Sequence, residues 1–194
     1  MLGILAVLVI IGGFAVGASA FRQPARQAIT KSSNSSANAL KETSDMKTAN
    51  KTQVSQNDLL RYLIEEEKLA HDVYAEMYDI YGARVFGNIL QSEQSHQSQV
   101  LALMNARGIS DPRSSERGVF VNQELQLLYN KLIAQGKQNT QEAYKVGVAI
   151  EEKDIADITT QLATATDADS ISTLQTLRSA SENHLRAFNR QLGK

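Results

Sequence analysis

The chain of 194 residues contains no cysteine, and this absence narrows the chemistry that it can support. Disulfides, iron–sulfur clusters, thiolate zinc sites and lipid-modified cysteines are all excluded. Any metal ion would therefore be held by nitrogen and oxygen atoms, and a combination of carboxylate and imidazole suits iron, manganese or zinc.

The sequence also lacks an excess of positive charge. Its formal net charge is -1, and its basic residues form no clustered patch. Domains that bind nucleic acid carry such patches, because they must attract phosphate groups. We therefore expect no nucleic-acid partner.

The N-terminal run of residues 2–20 has no charged side chain, which predicts an export signal or a membrane anchor over residues 1–20. Ala18, Ser19 and Ala20 have the small-x-small form of a signal-peptide cleavage site. However, no Lys or Arg precedes the run, and the basic residues after it favour an uncleaved anchor with a cytoplasmic domain. Of these alternatives we favour export to an extracytoplasmic location; an uncleaved segment would attach the protein to the membrane.

Residues 21–54 are mostly Ser, Asn, Lys, Thr, Ala and Gln, a composition that predicts a disordered linker. Helical periodicity and capping residues predict a domain over residues 55–192, and no stretch alternates like a strand, so the expected class is all-α. Four long helices should run from Ser55 or Asn57 to Gly82, from Arg84 to Arg107, from Asn139 to about Ala165, and from Asp167 or Asp169 to Leu192. A shorter helix should run from Asn122 to Gly136.

The lengths of the connections predict the architecture. Very few residues join the first two long helices, or the last two, so each pair should form an antiparallel hairpin. Residues 109–139 link the two hairpins. We therefore predict a ferritin-like up-down four-helix bundle, with one long crossover that carries the short extra helix.

The first two long helices place ligand-type side chains on their apolar stripes, at about 100° of rotation per residue. Glu67 lies at the centre of the first stripe, whereas Glu65 and Glu66 fall outside it, and Glu66 is expected on the outer face. Glu93 and His96 are three residues apart in the second helix, so their side chains point the same way. Each of these positions could instead belong to a solvated helix face.

The last two long helices add further candidates. Glu151 and Asp154 lie on the stripe of the third and Glu152 does not, although the string Glu-Glu-Lys at 66–68 recurs at 151–153 and would favour Glu152. His184 shares the apolar face of the fourth helix with Ser181. Carboxylate-bridged di-iron and di-manganese bundles use a Glu from each of two helices and a Glu-x-x-His from each of the other two. The sequence matches this pattern except at Ser181, which stands three residues before His184, where the pattern has a Glu. Asp154 could provide the missing carboxylate.

Two residues near Glu67 have alternative interpretations. His71 could orient a ligand carboxylate, but a His at the edge of a helix stripe is more often a core or edge residue. Tyr74 could serve as a redox side chain, although a core tyrosine is the commoner case.

Five segments together resemble the bacterial and archaeal ferritin-like family catalogued as domain of unknown function 2202: EEEKLAHDVY, VFGNILQSEQSH, GVFVNQELQLLY, VGVAIEEKDIAD and SENHLRAF. The resemblance covers about residues 58–188 and implies a ferritin-like fold with a di-metal site, but no known reaction. The candidate ligands are also similar to those of rubrerythrins, in which a ligand Glu is followed by Ala three residues later and by Tyr seven later. Ser181 departs from that pattern, and without cysteine there is no rubredoxin-like iron centre.

Two functional hypotheses follow. In the first, two iron ions, or manganese or zinc, are bound in the bundle, and the protein oxidises ferrous iron or reduces dioxygen or peroxide. Glu67, Glu93 and Glu151 would bridge or chelate the ions, and His96 and His184 would bind one each. In the second, the protein is a non-catalytic exported module that binds metal or docks a helix, with a vestigial site. The oligomeric state is open, and a homo-oligomer is one alternative.

Overall fold

The computed structural model describes the backbone of residues 33–194 and the side chains from Gln56 onward. In this part of the chain all secondary structure is helical, which confirms the predicted all-α class. The helices are α1 (Ser33–Tyr81), α2 (Arg84–Ala106), α3 (Gln123–Gly136), α4 (Thr140–Leu162) and α5 (Ala168–Gln191). The compact unit Ser44–Lys194 contains α2 to α5 and the later part of α1. The unit before it ends at Thr43.

The N-terminal predictions meet the structure only in part. Residues 1–32, with the predicted signal or anchor, lie outside the described residues. Helix α1 begins at Ser33, so the predicted start near Ser55 or Asn57 is too late, and residues 33–54 of the predicted linker are helical. This segment is rich in Ser, Asn and Thr, which are weak helix formers, and it lacks the apolar periodicity on which the prediction relied. Among the described helices, none is long and apolar enough to cross a membrane.

Caps explain where the other helices begin and end. The side chains of Asn122, Asn139 and Asp167 each accept a hydrogen bond from a backbone N–H in the first turn of α3, α4 and α5, as predicted. Gly82 and Gly108 have φ angles of 61° and 65°, the left-handed conformation that follows the ends of α1 and α2.

Two clusters of buried apolar side chains form the described core. The first includes Tyr74, Phe86 and Phe188. The second includes Leu63 and Leu177. In each of the four long helices, an interval whose buried residues are mainly polar separates the buried members of one cluster from those of the other. We call these the polar intervals: 65–68, 90–99, 151–157 and 178–187. The predicted ligands lie in these intervals, so they are enclosed by apolar layers.

The crossover covers α1 at the level of these polar intervals. Glu65 accepts hydrogen bonds from the backbone N–H groups of Val121 at 2.6 Å and Asn122 at 2.9 Å. Every residue from 63 to 70 is buried, including Glu65 and Glu66. The prediction that Glu65 and Glu66 fall outside the buried face is therefore wrong, because the crossover covers Glu65 and Lys153 of α4 pairs with Glu66.

Candidate metal centre

The structure places all six predicted ligands in the interior. Each exposes 8% or less of its surface: Glu67, Glu93, His96, Glu151, Asp154 and His184. They come from α1, α2, α4 and α5, and each lies in the polar interval of its helix. Glu152 is exposed, so of the two adjacent glutamates of α4 only Glu151 faces the interior, as the helical period predicts.

Glu93 lies between the two histidines. Its Oε2 is 3.0 Å from Nδ1 of His96, and its Oε1 is 3.0 Å from Nδ1 of His184. The two imidazole rings have centroids 5.6 Å apart and planes inclined by 23°. One carboxylate therefore presents a different oxygen to each histidine.

The ligand atoms form two overlapping groups. One atom from each of Glu67, Glu93 and His96 lies within 4.8 Å of the others, and the same holds for Glu93, Glu151 and His184. In the first group, Oε2 of Glu67 is 3.2 Å from Nδ1 of His96. In the second, Oε2 of Glu151 is 3.6 Å from Nδ1 of His184. The two groups are adjacent and share the carboxylate of Glu93.

Asp154 belongs to the same polar layer but is held differently. Its Oδ2 accepts a hydrogen bond from the hydroxyl of Ser181, the residue that stands where the bundle pattern asks for a Glu. Its Oδ1 is buried and accepts no hydrogen bond from any described residue. Burial, together with the negative charge of Glu67, raises the pKa of Asp154 well above its usual range. Asp154 thus has one oxygen fixed and one available to a cation.

Tyr74 is tied to the centre by a contact that sequence reasoning missed. Its side chain is fully buried, and its hydroxyl donates a 2.6 Å hydrogen bond to Oε1 of Glu151. The interpretation of Tyr74 as a core residue is therefore incomplete; its position seven residues after Glu67 was the available signal. His71 lies elsewhere, with its Nδ1 3.1 Å from Oδ1 of Asp72, in agreement with an edge position.

Several buried ligand atoms of the centre have no hydrogen-bond partner among the described residues, and cations could satisfy them. Four buried ligand atoms make no hydrogen bond to any described residue: Glu67 Oε1, Glu93 Oε1, Asp154 Oδ1 and His184 Nδ1. Glu93 Oε1 and His184 Nδ1 approach to 3.0 Å, but they are not aligned as a hydrogen bond. A buried polar atom without a partner costs about 1–3 kcal/mol. Carboxylate oxygens with imidazole nitrogens are the donor set that iron, manganese and zinc accept.

The pKa shifts show how the centre limits its own charge. Burial raises the pKa of Glu67 well above its usual range, and that of Glu151 to about 7. Burial also opposes ionisation of Glu93, but the contacts with His184 and His96 outweigh it and hold the pKa at about 2. Although burial disfavours their cations, the carboxylate contacts raise the pKa of His96 to about 11 and that of His184 to about 9. Metal ions would displace these protons, since metal ligands must be deprotonated.

Comparison with known proteins identifies the family to which this chain belongs. The chain matches the model of the uncharacterized protein domain DUF2202 over residues 56–194. It is 40% identical over 129 residues to the uncharacterized protein MJ0754 of Methanocaldococcus jannaschii. The aligned region covers 66% of this chain and 70% of the relative. It is also similar to the crystal structure of hypothetical protein MJ0754 from Methanococcus jannaschii DSM 2661, with a TM-score of 0.70 and 37% identity over 72% of this chain and 80% of that chain. The family indicated by the sequence motifs is confirmed, and the chain belongs to the family of the DUF2202 domain.

Proposed function

We propose that the protein is a ferritin-like di-metal carboxylate protein, with two adjacent sites for divalent ions, iron first and manganese or zinc as alternatives. The observation that carries this proposal is the position of Glu93, which directs one oxygen toward His96 and the other toward His184. A carboxylate shared by two ligand groups is what a bridged metal pair requires. The buried ligand atoms without hydrogen-bond partners support it, because cations would satisfy them.

The ferritin-like arrangement is part of the same proposal. Only residues 82–83 separate α1 from α2, residues 163–167 separate α4 from α5, and the segment that carries α3 connects the two hairpins. Contacts between side chains link the four long helices around the centre: Glu67 with His96, Tyr74 with Glu151, and His184 with Glu93. One long crossover between two helical hairpins is the connectivity of ferritin-like bundles.

When bound, a carboxylate-held iron pair would support the oxidation of ferrous iron or the reduction of dioxygen or peroxide. The chain itself supplies the ligands and their orientation. The hydroxyl of Ser92 lies 3.2 Å from Nε2 of His96, so it can accept a hydrogen bond from the Nε2–H group. In that tautomer the lone pair of Nδ1 is available to a metal ion. The hydroxyl of Tyr74 holds Oε1 of Glu151, which leaves Oε2 facing His184. The two apolar clusters exclude water from both ends of the polar layer.

Aerobic loading with ferrous iron, followed by elemental analysis, tests the proposal. We expect about two ions per chain, as in bridged carboxylate bundles, and a higher melting temperature, because ions that bind only the folded state stabilise it. Glu93→Gln should reduce loading at both sites. Glu152→Gln removes the same charge from an exposed position and should load like the unmodified protein.

Two results would count against the proposal. Folded protein that retains no iron, manganese or zinc above background would overturn the di-metal reading. Ferrous iron that binds, but is oxidised no faster than in buffer, would leave a metal-binding module without an oxidase reaction.

A further inference from the structure

Next to the centre, an ammonium group occupies a position lined by three oxygen atoms. Nζ of Lys153 lies 2.7 Å from the hydroxyl of Tyr62, 2.5 Å from Oε1 of Glu66 and 2.5 Å from Oδ2 of Asp157. It also lies 5.1 Å from the centroid of the Tyr62 ring. We call this set of four residues the Lys153 position. It already binds a cation, which the protein itself provides.

The Lys153 position extends from the protein surface toward the metal centre. The exposed fraction of the side chain falls from 36% at Asp157 and 32% at Lys153 to 5% at Glu66. Glu66 is followed in α1 by Glu67, and Lys153 is followed in α4 by Asp154, both of which belong to the centre. The negative charge of Asp154 also acts on Glu66. Two residues of the Lys153 position therefore adjoin predicted ligands along their helices.

Glu66 has one oxygen that takes no part in the ion pair with Lys153. Its Oε2 is buried and makes no hydrogen bond to any described residue, although Oε1 of the same carboxylate pairs with Lys153. Glu66 and Lys153 line a cavity of about 40 Å³ with Leu69, Leu132 and Ile150. That volume is enough for one water molecule, for which Glu66 and Lys153 are the polar residues of the lining. Buried polar atoms usually have a hydrogen-bond partner, so the ion pair with Lys153 alone leaves Oε2 of Glu66 unexplained.

We propose that the Lys153 position is an uptake site for divalent cations. An arriving ion displaces the ammonium of Lys153, binds the oxygens of Tyr62, Glu66 and Asp157, and passes by Glu66 and Asp154 to the centre. A lysine suits this exchange, because its compact charge sits on a flexible stem that can move into solvent. Between ions, Lys153 keeps Glu66 from being an unpaired buried anion, which is strongly destabilising.

Transfer of the ion to the candidate metal centre rests on the proposed di-metal function. Binding of an ion at the Lys153 position does not. The need for such a position follows from burial: the six ligands expose 8% or less of their surface, so an ion cannot meet them directly from solvent. Asp157, whose side chain is 36% exposed, places a negative charge at the surface end of the position. Electrostatic attraction of this kind raises the association rate of an ion of opposite sign by about 10- to 1,000-fold.

Stopped-flow mixing with Co²⁺, followed by its absorbance on binding, measures the uptake rate. Asp157→Asn and Glu66→Gln should each slow loading by about tenfold or more, while equilibrium dialysis finds the same number of ions per chain at the end. Glu152→Gln removes an exposed carboxylate that does not contact Lys153, and it should load at the unmodified rate. Unchanged rates in both Asp157→Asn and Glu66→Gln would overturn the uptake role.

Lys153→Met tests the position independently of the centre. The substitution removes the ammonium but keeps a side chain of similar length, so the folded variant should bind one Co²⁺ more per chain than the unmodified protein. Anomalous diffraction should locate that ion beside Tyr62, Glu66 and Asp157. An extra ion there, in a protein whose centre stays without metal, would refute the proposed function and support the cation position. No extra ion in folded Lys153→Met would overturn the cation position, and Asp157→Asn, a change at the surface, provides the rate test even if Lys153→Met is unstable.

Discussion

Three consecutive glutamates of α1 have three different roles. Glu65 accepts two backbone N–H groups from the crossover, Glu66 pairs with Lys153, and Glu67 faces His96. All three expose 4% or less of their surface. Because each step along a helix turns the side chain by about 100°, the same residue type meets a different neighbouring element at each position.

The sequence predicted Glu67 but not its neighbours, for a physical reason. A helical period identifies the face that points to the centre, and it selected Glu67 and likewise Glu151 over Glu152. It assumes that the opposite face meets water. That assumption fails for Glu65 and Glu66, because their partners lie far along the chain, in the crossover and in α4.

We expect Glu65→Ala to lower the free energy of unfolding by about 1–3 kcal/mol, since two backbone N–H groups of the crossover lose their acceptor. Urea denaturation measures this change. Glu152→Ala, an exposed glutamate in α4, is the matched control and should have little effect. Equal stability of the two variants would show that the crossover does not depend on Glu65.

Tyr74→Phe should destabilise the metal-free protein by about 0.5–1.5 kcal/mol, the usual net contribution of one hydrogen bond. The substitution removes only the hydroxyl that binds Glu151 and keeps the ring among Phe86 and Phe188. Tyr144→Phe is the control, because Tyr144 stacks on Phe86 but its hydroxyl makes no hydrogen bond among the described residues. Chemical denaturation of both variants should separate the two cases; a larger loss for Tyr144→Phe would contradict the assignment.

At the scale of the helices, Gly147 sets the approach of α4 to α5. A Cβ atom at this position would lie 2.6 Å from three atoms of the Phe188 ring, and that ring is fully buried. One turn farther from this contact, Glu151 of α4 faces His184 of α5 at 3.6 Å. The spacing of the two helices at Gly147 therefore fixes the width of the second ligand group.

Gly147→Ala should weaken both the fold and metal binding, even though Ala favours a helix over Gly by about 1 kcal/mol. Overpacking of a filled interior costs about 1–3 kcal/mol, and separation of the helices would move Glu151 away from His184. Adding Phe188→Leu should recover part of the loss, so the double variant should cost less than the sum of the single ones in a denaturation cycle. Strict additivity would mean that the two side chains do not compete for space.

The helices also show which boundaries a sequence can and cannot predict. Local chemistry placed the starts of α4 and α5, because Asn139 and Asp167 cap their own first turns. The start of α1 was predicted too late, at Ser55 or Asn57, because a polar helical segment has no apolar period to detect. The contact between Gly147 and Phe188 joins two helices, so no local pattern could reveal it.

For the whole molecule, we expect a truncated chain that starts near Lys51 to be soluble and helical. The family match begins at residue 56, and the described core clusters begin at Leu60. Circular dichroism and a melting curve, with the full chain as control, check this expectation. Aggregation of the truncated chain beside a well-behaved full chain would place the domain boundary earlier, nearer the start of α1 at Ser33.

The complete burial of residues 63–70 has a consequence for exchange with solvent water. Side chains of this segment contact α2 through Glu67, α4 through Glu66 and the crossover through Glu65, so no single element can move away and expose its amides. These N–H groups should exchange with deuterium only when the domain unfolds as a whole, and they should be the slowest in the chain. Amides of α3, which packs on one side only and exposes Leu127, should exchange earlier through local opening. Mass spectrometry of peptic fragments would detect the difference. Exchange in residues 63–70 as fast as in α3 would contradict the expectation.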